Sequence, residues 1–350
     1  MLSKVCSAAT LGIDAVRITV EVDTHGAGQP GFCMVGLADL AVRESYARVK
    51  AALANSGFFF PNRDITVNLS PANVRKEGSA FDLPIAIGIL HAEQVLREEH
   101  VAGRLFVGEL SLDGTIGAIR GVLSISAAAA KDRSIRELIV PATNANEAAA
   151  VEDVTVIGAT NLPRLLSHLR GDSPFPRTTP SVPAAPVRDG ADFSDVRGQA
   201  LARRALEVAA AGGHNVMMIG PPGSGKTMLA KRLPSILPRP TLAEAIMTTK
   251  IHSVAGTLPP ASGLLAHRPF RAPHHTISMA GLVGGGTYPR PGEVSLAHHG
   301  VLFLDELTEF RRDTLEVLRQ PIEDGHVTIS RAQRTLTFPA SFTLAVALNP

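Results

Sequence analysis

The stretch Gly220-Pro221-Pro222-Gly223-Ser224-Gly225-Lys226-Thr227 constrains the fold more than any other part of this 350-residue chain. It matches G-x-x-x-x-G-K-[ST], and its flanks supply the context that pattern needs. The apolar run Asn215-Val216-Met217-Met218-Ile219 reads as a buried strand, and Lys226 to Leu237 reads as a helix. A Gly-rich loop between a strand and a helix turns successive backbone N–H groups inward around phosphates. The helix that follows adds the positive end of its dipole. Lys226 is expected to reach the β- and γ-phosphates as a point charge, and the Thr227 hydroxyl to ligate Mg²⁺. The ligand so implied is ATP with Mg²⁺.

A second feature completes the pattern. Val301-Leu302-Phe303-Leu304 is a fully apolar strand, as in a parallel sheet covered on both faces, and two adjacent carboxylates end it. Asp305 is expected to hold the magnesium through its waters, and Glu306 to polarise the attacking water. A third core strand, Phe342 to Leu348, ends at Asn349. Asn349 is either an orienting group for that water or a strand-end Asn in a turn before Pro350. Lys226, Glu306 and Asn349 are thus the candidate catalytic residues, and Thr227 and Asp305 the candidate metal ligands.

Length suggests two domains. At 45% hydrophobic and 19% charged, the chain can bury sizeable cores. No apolar run is long enough to span a bilayer, and the start, with Lys4, Asp14 and Arg17, makes a poor secretory signal. Cys6 and Cys33 stand alone, without metal-ligand spacing, and read as ordinary buried thiols, pointing to the cytoplasm. Residues 171–190 read as a proline-rich linker between residues 1–170 and 191–350. The first part mixes strands (Val16–Val22, Asp64–Leu69, Leu138–Pro141, Val154–Ile157) with helices (Ala41–Ser56, Asp82–Val95). The second alternates helix and strand as an α/β domain should. Residues 1–190 hold 18 Lys/Arg and 20 Asp/Glu, and residues 191–350 hold 16 and 12 with eight of the twelve His. That mildly basic half permits contact with nucleic acid without demanding it.

These residues resemble a known family. The second part looks like an AAA+ ATPase, and more narrowly like the magnesium-chelatase-like ATPases of the ComM/YifB group. The resemblance is carried by Asp195-Val196-Arg197-Gly198-Gln199, Arg268 to Thr276, Gly281 to Gly286, and Pro291 to Gly300 leading into the Asp305-Glu306 strand. It covers essentially the whole chain and implies a bacterial, ring-forming, hexameric motor linked to DNA. It also implies that Val196, Gly198 and Gln199 lie near the adenine. The interval between Lys226 and Asp305 is roomy for a minimal P-loop domain, so something is inserted. The Gly-rich stretch from about Ala266 to Arg290, with Arg268 and Arg271, is either a loop gripping DNA backbone or a packing loop. His326 to Phe338 reads as a hairpin whose tip is flanked by Arg331 and Arg334. These are either further DNA contacts or a solvated tip. His274-His275 and His298-His299 lack carboxylate or Cys partners at metal-ligand spacing.

Residues 1–170 resemble the α+β Lon-protease-like domain (ribosomal S5 domain 2-like) that this group carries. The match runs through Lys76-Glu77-Gly78-Ser79-Ala80-Phe81-Asp82-Leu83-Pro84 and Gly108 to Gly114. Ala80 stands at the position of the family's catalytic Ser and Leu123 at that of its Lys, so no peptidase activity is expected. By the family pattern an arginine finger and a helical lid follow the Asn349 strand, so the P-loop domain is expected to be incomplete. Three functions remain open on the sequence: a DNA motor, a chelatase-type motor subunit, and a non-catalytic nucleotide-binding assembly module.

Overall fold

The computed structural model describes residues 1–26, 31–180, 192–259, 261–286, 289–331 and 334–350. The chain divides into two compact units, Met1–Val182 with Leu258–Gly263, and Pro183–Thr257 with Leu264–Pro350. The expected α/β class holds, and each unit is built on its own sheet.

In the first unit seven strands run in the order Phe32–Val35, Asp64–Ser70, Asp14–His25, Leu2–Leu11, Arg104–Phe106, Glu137–Pro141 and Thr155–Ala159. The two long strands at its centre form an antiparallel hairpin closed by Gly12-Ile13, with Gly12 at φ +63°. A two-residue hairpin turn needs such a positive φ. In Asp64–Ser70 the side chains alternate, with Ile65, Val67 and Leu69 buried. The helix Asp82–Ala92 is buried at every position and lies on this sheet. Gly88 allows the close approach, because a Cβ there would meet Val22 Cγ2 at 2.6 Å. The helix is shorter than its apolar run suggests: it ends at Ala92, and Gln94 takes φ +62°. The expected helix over Ala41–Ser56 is two, Leu40–Arg43 and Ser45–Asn55. Of the two cysteines expected to be buried, Cys33 is exposed and Cys6 only part-buried.

Part of the proline-rich segment is packed rather than free. Phe175 lies against the core, and Arg164 sits over its ring at 5.1 Å. The Thr178 N–H donates to Val156 O at 2.9 Å, so this segment covers an otherwise open edge strand. Residues 181–191 lie outside the described residues.

One buried and one part-exposed cation organise the loops around helix Asp82–Ala92. Lys76 is wholly buried, and its ammonium donates to Gly36 O at 2.9 Å and to Pro71 O. Arg48 forks onto the buried Asp82 carboxylate at 2.7 and 3.0 Å, and the Leu110 N–H adds a third bond. Burial still pushes the Asp82 carboxyl up to about 6, against the pull of Arg48.

The second unit carries a four-stranded, all-parallel sheet in the order Val216–Ile219, Thr343–Leu348, Val301–Leu304, Phe270–Arg271. The sequence reading foresaw three of these strands. The fourth, Phe270–Arg271, lies within the stretch read as an insertion. The helix expected over Lys226–Leu237 is α-helical over Lys226–Arg232 and continues as a 3-10 turn, Leu233–Ile236, where Pro234 removes a backbone donor. The hairpin is present, with His326–Arg331 paired antiparallel to Arg334–Pro339.

Arg48→Ala strands the Asp82 carboxyl in an apolar site with one backbone donor. It is expected to destabilise the first unit by about 3 kcal/mol. A lower urea midpoint with an unchanged m-value checks this, and Asp82→Asn, which buries no charge, should cost less.

Candidate nucleotide site

The site follows from strand register. Parallel strands end on the same edge of a sheet, and the loops leaving that edge converge. Ile219 pairs with Leu348, so Gly220 and Asn349 leave the sheet side by side, and the Gly220 N–H donates to Leu348 O at 3.3 Å. Leu304 pairs with Val346, which brings Asp305 to the same edge. All four residues of Val301–Leu304 are buried, so Asp305 is the first polar side chain after an apolar core strand.

Within the loop Gly223 and Gly225 take φ +76° and +89°, conformations that favour glycine. The Lys226 ammonium donates to Gly220 O at 2.6 Å, Pro221 O at 3.1 Å and Asn349 Oδ1 at 3.0 Å. The Thr227 hydroxyl donates to Asp305 Oδ2 at 2.6 Å, and the Glu306 N–H donates to Asp305 Oδ1 at 3.1 Å. The hydroxyl and carboxylate oxygens meet at one point, and an all-oxygen pair suits Mg²⁺. Glu306 itself takes φ +52° and ψ +53°, with its side chain half exposed.

The Asp195–Gln199 segment reaches the same loop. Val196 is buried beside Phe193 in the unit's core, Gly198 takes φ +67°, and Gln199 Nε2 donates to Ser224 O at 2.9 Å. The P-loop residues, Asp305, Glu306, Asn349 and Gln199 are therefore brought together as one cluster.

The arginines expected on DNA are placed otherwise. Arg268 is mostly buried and donates to Glu244 and to the carbonyls of Pro238 and His299. Arg271 forks onto Glu293 at 2.6 and 2.7 Å, and that pairing raises the pKa of its guanidinium. Both guanidinium groups are committed to internal carboxylates, which favours the packing alternative for this stretch. Pairing of these arginines needs partners distant in the chain, so it left no local signal. Arg331 and Arg334 pair in the hairpin ladder, and their side chains lie outside the described ones.

The histidine pairs also have internal roles. His298 is buried and accepts the Ser341 N–H through Nδ1 at 3.0 Å, which requires a neutral ring. Burial, reinforced by His299, pulls its pKa down to about 4. The His299 ring lies tilted against it, centroids 3.8 Å apart, and 3.7 Å from Glu244. Among the described residues no group of three or more His, Cys, Asp or Glu could hold a metal ion, and no helix is long and apolar enough to cross a membrane. Sequence reading missed the neighbours of Glu306: His275 Nδ1 lies 4.0 Å from its Oε2.

Comparison with known proteins shows the family. A family model described as magnesium chelatase, subunit ChlI, matches residues 192–350, and a second, subunit ChlI of Mg-chelatase, matches residues 20–144. The competence protein ComM of Haemophilus influenzae is 47% identical over all of this chain and 69% of its own length. The chain belongs to the ComM/YifB group of magnesium-chelatase-like P-loop ATPases. YifB of Escherichia coli is 43% identical over all of this chain and 68% of its own length. Lon protease 2 of Bacillus subtilis is 28% identical over 151 residues, 40% of this chain and 26% of that protein. Members of the group thus share with this chain both the P-loop part and the part before it.

A depressed His pKa makes stability fall in acid. Between about pH 4 and the ordinary His value near 6.5 the unfolded chain binds a proton at residue 298 that the folded chain refuses. Stability from His298 is therefore full above that window and is lost as pH falls through it. His298→Gln, which keeps an acceptor for Ser341 and does not titrate, is expected to flatten the slope of unfolding free energy against pH across that window.

Proposed function

We propose that this chain binds ATP with Mg²⁺ at Gly220–Thr227 and hydrolyses it as the motor core of a ring-forming assembly that acts on DNA. The observation that carries the reading is the meeting of Lys226, Thr227, Asp305 and Asn349 at one sheet edge. Each group has a role that its chemistry allows. Lys226 is already desolvated on one side and held by neutral oxygens, which the more negative phosphate oxygens displace. Thr227 and Asp305 would hold the metal, which when bound neutralises charge developing on the phosphates. Asn349 Oδ1, released by Lys226, is free to orient the attacking water, and Glu306 takes that water's proton. Val196, Gly198 and Gln199 border the nucleotide on the side of Ser224, where the base would lie.

The wider assignment rests on kinship. The relative from Haemophilus influenzae is named a competence protein, which supports a DNA substrate and, with it, a helicase-like or branch-migrating hexamer in the cytoplasm. DNA contact then falls to groups other than Arg268 and Arg271, with Arg331 and Arg334 flanking the hairpin tip as the first to test. The family model's name favours a second reading, a chelatase-type motor subunit that remodels a partner. Stimulation of turnover by single-stranded, duplex or branched DNA separates the two. No stimulation by any of them sinks the DNA reading.

For the first unit we propose a scaffold without peptidase chemistry. Ala80 and Leu123 occupy the positions that the Lon resemblance gives to nucleophile and base, and Leu123 is fully buried. Ser79, one residue away, spends its hydroxyl on Glu109. Peptide cleavage is expected at background level, and equal in the chain and in Ser79→Ala.

Two substitutions test the nucleotide site. Lys226→Ala removes charge-assisted bonds worth about 1.5–3 kcal/mol, so ATP affinity is expected to fall at least about tenfold. Glu306→Gln keeps binding and is expected to lower kcat by about 10²-fold or more. Titration with a fluorescent ATP analogue and steady-state phosphate release read the two effects. Equal phosphate release from the unaltered chain and Lys226→Ala means a nucleotide binder without turnover.

A further inference from the structure

The segment that reaches the P-loop beside Ser224 is held at both ends. At its far end Gln199 Nε2 donates to Ser224 O at 2.9 Å. Gly198 and Gln199 both take positive φ, +67° and +50°, so the chain turns sharply there. At its near end stands a 3-10 turn, Phe193–Asp195. That turn is closed on itself: the Ser194 N–H donates to Asp192 Oδ1 at 2.9 Å, and the Asp192 N–H to Asp195 Oδ2 at 3.1 Å. Between the two ends lie Val196, Arg197 and Gly198. A segment this short, once both ends are held, has few conformations left.

What holds the near end is the helix of the P-loop and the 3-10 turn that follows it. Phe193 is buried in one core with Leu229, Ala230 and Leu233, which follow Lys226 and Thr227 in the chain. Its N–H donates to Ser235 Oγ at 3.0 Å, and the same hydroxyl donates to Arg232 O at 2.8 Å. Ser235 therefore ties the Phe193 backbone to the end of that helix. The Arg232 guanidinium lies 3.6 Å from Asp195 Oδ2 and donates to Met228 O at 3.2 Å. One hydroxyl and one guanidinium thus join this segment to the helix that carries Lys226 and Thr227.

We propose that Ser235 and Arg232 are positioning residues that clamp the Phe193–Asp195 turn to the P-loop helix and so set the part of ATP affinity that comes from the base. This rests on the reading of Val196, Gly198 and Gln199 as the border of the base. The phosphates need no such clamp, because the loop Gly220–Thr227 binds them directly. The base has to find Val196–Gln199 already in place. A loosened turn leaves that segment more conformations, and binding the base then costs the entropy of ordering it. The Arg232–Asp195 pair is part-exposed and is the weaker tie. Ser235 carries the larger share, because its hydroxyl bonds on both sides.

The test is Ser235→Ala in the whole chain, with calorimetric titration of two ligands, ATP and inorganic tripolyphosphate, each with Mg²⁺. Tripolyphosphate carries three phosphates without ribose or base. Ser235→Ala is expected to weaken ATP about two- to tenfold, the scale of one net hydrogen bond, and to leave tripolyphosphate affinity unchanged. Ser235→Thr, which keeps the hydroxyl, is expected to restore ATP affinity. Adding Arg232→Met to Ser235→Ala keeps an unbranched stem and removes the charge, and is expected to deepen the loss by a further two- to fivefold. An equal loss for both ligands overturns the proposal, because the turn would then only support the P-loop helix. Unchanged ATP affinity in the double variant overturns it as well. Equal affinity of the unaltered chain for ATP and tripolyphosphate is a different failure: it removes the border of the base itself, and the proposal with it.

Discussion

Everything at the nucleotide site depends on the register between three parallel strands. With Ile219 opposite Leu348 and Leu304 opposite Val346, the P-loop, Asp305 and Asn349 emerge together. The bonds from Lys226 to Asn349 and from Thr227 to Asp305 are consequences of that register. A slip along any one strand would separate groups proposed to act on the same phosphate, because successive residues of a strand point to opposite faces. Burial of Val301–Leu304 on both sides resists such a slip: every alternative register would expose part of an apolar run or bury the Asp305 carboxylate.

The same principle governs the polar interior elsewhere. Charges that the fold takes out of water are answered one by one. Lys76 is answered by carbonyls of Gly36 and Pro71, Asp82 by the Arg48 fork and the Leu110 N–H, and Arg271 by Glu293. His298 stays neutral and accepts a backbone N–H. Each pairing ties a loop to a core element. Arg268, Arg271, His298 and His299 therefore look functional in the sequence and are all held by internal partners. Glu306 stands apart from this pattern. It is half exposed, in a strained backbone conformation, and lightly held by His275. Loosely answered charge at the end of a rigid strand suits the proton-accepting role proposed for Glu306, because such a group changes partners during turnover.

Much of the candidate site was legible in the sequence because its signals are local. Lys226 and Thr227 belong to one eight-residue loop, and Asp305 and Glu306 directly follow an apolar run. Asn349 was legible for the same reason, as the polar residue after a core strand. The first unit showed itself through alternation, as at Ile65, Val67 and Leu69, and through the apolar helix from Asp82. Other features were not legible. Phe270–Arg271 is too short a strand to show a period, and it counts as one only because Val301–Leu304 lies beside it. The helix break at Glu44 sits inside a continuous helical pattern, and Glu44 itself keeps right-handed helical angles.

By itself the sequence determined the chemistry available: a phosphate-cradling loop with Lys226 and Thr227, a carboxylate pair at Asp305 and Glu306, and membership of the ComM/YifB group. These follow from residue type and short-range spacing, which survive any arrangement of the rest of the chain. Tertiary structure decided which charges are free to use that chemistry. Arg268 and Arg271 are bound to Glu244 and Glu293, far away in sequence, and His275 meets Glu306 only because two parallel strands end at one edge. Pairing of buried charge is a matter of distance in space, and no spacing along the chain records it.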